Sequence, residues 1–357
     1  MKYRTPASSS RGRRRAGFHR PARWHAAAWG LGLAAAIALA LAGSPPADAQ
    51  RRYVVAFANL TEEPGVTLEG TGFTGREVRE GFALAARQYP VEMVYYDNQR
   101  DDARAVANAD AAITRRVDLY IQYHRGDANV VIGQKLKAAR IPVLAINYPV
   151  PGAPLYTVDN AAAGRIAGET LAQFATRSWR GQPMVGVIIG DLSAVVDRVP
   201  ERAQGVAAAL AQRLPAVRVT TLDTKGSPAQ VGSLLGRFLA GHPSGKLLLA
   251  ATDDATALSV KSAVEAAGRV HDAVIVSHGV DRSVHGGMND RKEIDPSNRG
   301  SIVIGSVAFL LDRYGYEVLP LAMRMLRGEA IPARVATRHV LVTAANVFVE
   351  YPPYDMN

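Results

Sequence analysis

Residues 119–146, LYIQYHRGDANVVIGQKLKAARIPVLAI, read as strand, helix and strand. Residues 119–122 are a short run of aromatic, apolar and β-branched type, the composition strands favour. Residues 127–139 follow as a helix, with Val130, Val131, Gln134, Leu136 and Lys137 spaced to place apolar residues on one face. Residues 142–146 form the next apolar strand. A short strand, a helix of about 10–15 residues and a second strand make a βαβ unit with a parallel sheet. The right-handed crossover of such units puts helices on both faces.

The same alternation runs outward in both directions. Upstream lie strands at 53–57 and 91–96 and helices near 75–88 and 102–116. The pattern restarts after Tyr156-Thr157-Val158-Asp159-Asn160. From there helices near 161–176, 200–213, 228–240, 255–267 and 309–327 alternate with strands at 184–189, 217–222, 246–251, 273–277 and 301–305. The fold class is α/β, with two doubly wound parallel-sheet lobes in tandem. The tail 351–357 is an aromatic-proline segment that its prolines keep extended.

Ahead of this alternation stands a leader of a different kind. Residues 1–25 carry eight basic residues and no acid, and residues 26–43 are apolar and uncharged. Ser44-Pro45-Pro46 then leads to small residues before a cut after Ala49. That layout is a secretory signal peptide, which predicts export to the periplasm. An apolar run of this length is short of the roughly 20 residues a membrane span needs. Arg13-Arg14-Arg15 leaves Sec and twin-arginine export both open.

The leader also dominates the charge. The chain is +10, with 42 basic and 32 acidic residues. The first 49 residues hold eight of the bases and one of the acids, leaving 34 against 31 in the remainder. No basic stripe survives, so no nucleic-acid partner is expected. The chain has no cysteine, which excludes disulfides, thiolate metal sites and a cysteine nucleophile. No cofactor or metal site is expected, and the product is read as a monomer. Without the leader, about 308 residues remain, more than one core comfortably serves.

Enzyme motifs are missing: there is no G-x-S-x-G, H-E-x-x-H or P-loop. Gly70-Thr71-Gly72-Phe73-Thr74-Gly75 fits G-x-G-x-x-G by spacing. It lies well beyond the first strand, outside the context that motif requires.

Several motifs in order carry a family resemblance. They are Ala138-Ala139-Arg140 running into residues 141–147, Val158-Asp159-Asn160 with Gly164 and Gly168, and Glu201-Arg202-Ala203-Gln204-Gly205. Ala251-Thr252-Asp253-Asp254, Gly279-Val280-Asp281, residues 326–332 and Leu341-Val342-Thr343 continue the series. Across most of residues 53–350 the chain resembles the ribose-type periplasmic sugar-binding proteins, which deliver ligand to ABC transporters. Arg140 stands where that family often has a glycine.

The resemblance implies a Venus-flytrap, type I periplasmic binding protein architecture with a three-crossing hinge. The crossings fall near 157–160, 304–308 and 337–340. The lobes are 50–157 with 306–338, and 158–305 with 339–357, after the signal peptide 1–49. It further implies a small polar ligand, a sugar or polyol, and a permease of the inner membrane as partner. A ligand-sensing receptor for a signalling partner shares the same fold. An exported enzyme using carboxylates is disfavoured by the lack of a nucleophile–base motif. Repressors of this fold are set aside, because a signal peptide stands where they carry a DNA-binding headpiece.

Open α/β sheets bind ligands beyond the carboxyl ends of their strands. That rule and the resemblance select Phe73, Gln122, Tyr123, Asn147, Tyr148, Arg202, Asp253, Asp281 and Ser306. Phe73 would stack on a ligand face or start the following helix core. Asn147-Tyr148 replace the family's Asp-Arg. Arg202 offers a rigid donor fork and Asp281 paired acceptors. Asp253 and Asp281 are equally readable as helix or turn caps. Glu62 and Glu63 read as solvated, His124 as structural, and His278 and Arg282 as neighbours of the site. With two acids against one arginine, the expected ligand is a neutral polyhydroxylated molecule, with a small cationic amine second.

Overall fold

The first strand, β1 (Tyr53–Asn59), shows why the sheet is buried on both faces. Val55 and Phe57 enter one hydrophobic cluster, and Ala56 and Ala58 enter another on the opposite side. Such two-sided burial is the signature of a parallel sheet between helical layers. The structure is a computed structural model that describes residues 52–193, 199–285 and 292–351. The leader with its cut after Ala49, and the tail beyond Tyr351, fall outside the described residues.

In the first lobe β1 is followed by α1 (Gly75–Ala86), β2 (Val91–Asp97), α2 (Asp102–Arg115) and β3 (Leu119–Gln122). Then come α3 (Ala128–Ala138), β4 (Val143–Ile146) and β5 (Leu155–Thr157). The chain passes into α4 (Asn160–Ser178), β6 (Met184–Gly190), α5 (Val199–Arg213), β7 (Arg218–Asp223) and α6 (Val231–Ala240). β8 (Lys246–Ala251), α7 (Asp254–Ala266), β9 (Ala273–Gly279), α8 (Arg282–His285) and β10 (Val303–Ala308) follow. It ends with α9 (Tyr314–Leu326), β11 (Arg334–Ala336), β12 (Val340–Val342) and α10 (Val347–Glu350).

The strands form two six-stranded sheets, ordered β11-β5-β4-β3-β1-β2 and β12-β10-β9-β8-β6-β7. All pairs are parallel except β10 with β12. The strand order reverses between β1 and β3 and between β6 and β8. The loops after these four strands therefore flank the two crevices where open sheets bind ligands.

Two sequence expectations need correction. Ser306 pairs with Ser277, and all of β10 belongs to the second sheet, so the return crossing lies after Ala308 rather than at 304–308. On α3 the inward face is Ala128, Ile132 and Leu136, whereas Val130 and Val131 are 45% and 43% exposed. Spacing by four selects the buried stripe there, and the two valines fall one position off it.

One histidine ties the three crossings together. The His339 ring accepts at Nε2 from the Asp159 N–H at 3.2 Å and donates from Nδ1 to the Ala308 carbonyl at 3.1 Å. Asp159 begins the first crossing, Ala308 the second, and His339 lies in the third. Burial holds this imidazole below its ordinary pKa, so it stays neutral and keeps an acceptor nitrogen. Replacing His339 with alanine is expected to cost about 2 kcal/mol, from two net hydrogen bonds. Faster hydrogen exchange at the Asp159 amide would report the loss, and unchanged exchange would refute the tie.

Glycines set the helix spacing beside the cleft. A Cβ on Gly164 would overlap the Arg202 carbonyl, and one on Gly205 would overlap the Ala161 carbonyl. On Gly168 a Cβ would lie 2.7 Å from both the Ala209 Cβ and the Val206 carbonyl. α4 and α5 thus cross backbone to backbone, which brings Arg202 to the start of α4. Gly205→Val is expected to destabilise by about 2–3 kcal/mol through overpacking, read as a lower urea midpoint. An unchanged midpoint would contradict the crossing.

Candidate ligand-binding site

The loop after β1 is a small hairpin that reaches toward the second lobe. Thr67 and Thr74 form an antiparallel bridge, Leu68 N–H donates to the Phe73 carbonyl at 2.8 Å, and Thr71 N–H donates to Leu68 at 2.9 Å. Glu69 and Gly70, at its tip, have φ of 56° and 60°. Two consecutive positive φ values mark the tight hairpin turn whose twist matches paired strands. Thr74 then caps α1 in a capping box with Glu77, which anchors the hairpin base.

Arg202 rises from the first turn of α5 and is fully buried. Its Nε donates to Asn160 Oδ1 at 3.2 Å, and Nη2 donates to the same atom at 2.9 Å and to the Glu69 carbonyl at 3.1 Å. Nη1 donates to the Gly70 carbonyl at 3.2 Å and to the Thr252 carbonyl. The guanidinium centre lies 4.2 Å from the Phe309 ring centroid, a cation–π contact. A guanidinium has five N–H donors, and these five bonds come from both lobes.

On the first-lobe side, Tyr123 is buried and donates from its hydroxyl to Glu69 Oε1 at 2.7 Å. Burial and the neighbouring Glu69 carboxylate raise the Tyr123 pKa well above its ordinary value, so the phenol remains a donor. Tyr148 stacks on Tyr123 at 6.2 Å between centroids. Asn147 accepts from the Val158 N–H at 3.2 Å and sits 3.4 Å from the hydroxyls of Tyr123 and Tyr314. Gln122 is buried and donates to Asn129, while its Oε1 has no partner.

Beside Arg202 a cavity of about 470 Å³ opens between the hairpin and the carboxyl ends of β6–β9. Its walls include Thr67, Gly70, Thr71 and Gly72 from one lobe and Asp191, Thr224, Asp253 and Asp281 from the other. That volume lies within the range of small-molecule sites, about 300–1,000 Å³. The described lining contains four carboxylates and no lysine or arginine.

The carboxylates are not equivalent. Asp253 caps α7, accepting from the Thr256 N–H and hydroxyl at 2.7 Å each. Asp281 accepts from the N–H and hydroxyl of Ser283. Asp254 is buried, accepting from Ser277 at 2.6 Å, Ser306 at 2.8 Å and the Asp281 N–H at 2.8 Å. Burial first, and the Asp281 carboxylate second, push its pKa up to about 7. His278 lies in the same strand-end layer, donating from Nδ1 to Ala251 at 2.8 Å. Burial first, then the Arg202 charge, push its pKa down to about 3.

The structure brings Tyr123, Asn147, Tyr148 and Arg202 to the inner cleft and places Asp253 and Asp281 on the cavity wall. Phe73 is buried in the main hydrophobic cluster and does not line the cavity. Ser306 supports Asp254 from behind the wall. Glu62 and Glu63 pair with Arg79 at 3.0 Å and Arg100 at 2.5 Å. His124 holds Asp102 at 2.8 Å, and neither residue lines the cavity. Arg282 lies in α8, just past Asp281. Sequence reasoning passed over Glu69, the rest of the hairpin tip and Asp254. The signal for the tip was Gly70 and Gly72 between two threonines. Asp254 gave none beyond its place beside Asp253.

Comparison with known proteins finds a family model, described as the periplasmic binding protein domain, matching residues 35–330. No curated protein matches the chain. Solved structures share the fold. A protein from Mycobacterium smegmatis has TM-score 0.63 at 20% identity, covering 85% of this chain and 94% of its own. An ABC transporter periplasmic solute binding protein from Actinobacillus succinogenes, with bound D-allose, has TM-score 0.61 at 17% identity, covering 83% and 99%. One from Bacillus halodurans with bound myo-inositol has TM-score 0.57 at 17% identity, covering 84% and 97%.

Proposed function

We infer the function from a premise those matches establish: this chain belongs to the periplasmic binding protein domain family. It acts as a solute-binding receptor that delivers a small polar ligand, a sugar or polyol, to an ABC transporter permease. The observation that carries this reading is the interlobe cavity at the strand ends, walled by hydroxyls and carboxylates and backed by Arg202. Such groups accept and donate to a ring of hydroxyls, and lobe closure removes them from water.

Polyhydroxylated ligands suit this lining better than acids do. An anionic ligand would meet the Asp191, Asp253 and Asp281 side chains, and a buried charge left unpaired costs several kcal/mol. The same three aspartates favour a small cationic amine as the second reading. Calorimetry with D-allose, allitol, myo-inositol, D-galactose and a glucosamine control is the test. Saturable heat with a neutral member is the expected result. Binding of glucosamine alone would select the amine reading, and heat with no member of the panel would count against both.

The leader makes the product an exported one, cut after Ala49 and released to the periplasm. Intact-mass analysis of the exported protein checks this. A membrane-extracted product retaining residues 1–49 would overturn it.

A further inference from the structure

We propose that the Thr67–Thr74 hairpin is a built-in competitor of the solute for Arg202: the cavity described above is present with the tip seated, and a solute that extends from it onto the guanidinium must displace the Glu69–Gly70 tip. This rests on the receptor reading above and adds a form of regulation to the same cleft.

The donor count carries the argument. Arg202 has five N–H groups, and each has an acceptor: two at Asn160 Oδ1, one at Thr252, and one each at the Glu69 and Gly70 carbonyls. Three of those bonds stay within the second lobe. The two to the tip cross between lobes, and they are the ones a solute between the lobes would need. While the tip is seated, the guanidinium has no N–H left to offer.

The tip also satisfies the opposite wall. Its Glu69 carboxylate accepts from the Tyr123 hydroxyl at 2.7 Å, and Glu69 itself is 5% exposed. Its φ of 56° is a conformation that non-glycine residues rarely adopt. The rest of the hairpin is shaped for close approach. A Cβ on Gly72 would overlap the Asp281 side chain of the other lobe, and a Cβ on Gly70 would lie 3.1 Å from Val199. A displacing solute must bring what the tip brings: two neighbouring oxygens for Arg202 and an oxygen for Tyr123. A polyhydroxylated ring does so.

Competition of this kind multiplies the intrinsic affinity by the fraction of molecules in which the tip is unseated. Gly70→Val unseats the tip, because a β-branched residue at φ 60° is strained and its Cβ meets Val199. Two arms test the proposal. Without added solute, scattering should show a larger radius for Gly70→Val than for wild type, since the tip bonds hold the lobes together. Identical radii would overturn the proposal whatever the solute. With solute, any member of the sugar panel that gives heat with wild type should bind Gly70→Val at least about tenfold tighter. Equal or weaker binding would overturn it.

The reporter Glu69→Cys uses the only thiol in a cysteine-free chain. Its labelling rate should rise when that sugar saturates the protein. A fall would mean the hairpin closes over the solute, and would overturn the competitor role. If Gly70→Val expands but no sugar binds either protein, the interlobe latch is supported and the receptor reading for these sugars fails.

Discussion

Arg202→Met is expected to lower stability by about 3–5 kcal/mol, the usual loss when one side of a buried charged network is removed. Methionine fills similar volume but donates nothing. The carbonyls of Glu69, Gly70 and Thr252 and the Asn160 amide oxygen would all lose a buried donor. Arg202→Lys should recover only part of the loss, because an ammonium has three donors on a flexible stem instead of five in a planar fork. Urea unfolding of the three proteins at one pH measures this. A loss below about 1 kcal/mol for Arg202→Met would mean that the guanidinium is solvated and the buried cleft network does not exist.

Asp254→Asn and His278→Asn should tilt the stability–pH profile in opposite directions. Asp254 has a folded pKa of about 7, above its ordinary 3.8. Its stabilising contribution is full below the unfolded value and lost as pH rises through about 7. His278 has a folded pKa of about 3, below its ordinary 6.5. Its contribution is present above the unfolded value and lost as pH falls toward 3. Between roughly pH 4 and 6.5 the two slopes oppose, each near 1.4 kcal/mol per pH unit. The wild-type profile is therefore expected to be shallow there. Asp254→Asn unmasks the histidine slope and should lose about 2–3 kcal/mol between pH 6.5 and 4.5. His278→Asn unmasks the aspartate slope and should become more stable over the same range. Parallel profiles for all three proteins would show that neither group is titrating as its burial implies.

The long elements were legible because each has its own period. Helices such as residues 254–266 and strands such as 246–251 were read within a residue or two of their bounds. The three-residue strands β5, β11 and β12 were not read, since so short a run holds no period and their pairing is decided by distant chain. The valines on α3 misled for a related reason: spacing grouped Val130 and Val131 with Leu136, while packing chose Ala128, Ile132 and Leu136. At the site, Arg202 was legible as a donor fork through its place in the Glu201–Gly205 motif. Its partners were not, because they are backbone carbonyls, and a carbonyl carries no residue identity. The hairpin tip has glutamate at 69 where asparagine, aspartate or glycine usually announces a turn with positive φ. Asp253 and Asp254 look alike in sequence. Ser277 from β9, Ser306 from β10 and the Asp281 amide just after β9 distinguish them in space.

The three crossings also fix an order of assembly. The chain leaves the first sheet after Thr157 and returns only with α9 and β11, once five strands of the second sheet have been made. β11 supplies the outer neighbour of β5, α9 covers α1, and β12 closes the far edge of β10. Synthesis from the amino terminus therefore cannot finish either lobe until the last few dozen residues emerge. Pairings of such long sequence separation form slowly. A chain stopped at residue 313 would expose the β5 and β10 edges together, and open strand edges are templates for aggregation. Either lobe therefore reaches its stable form only after the residues of α9, β11 and β12 have been made.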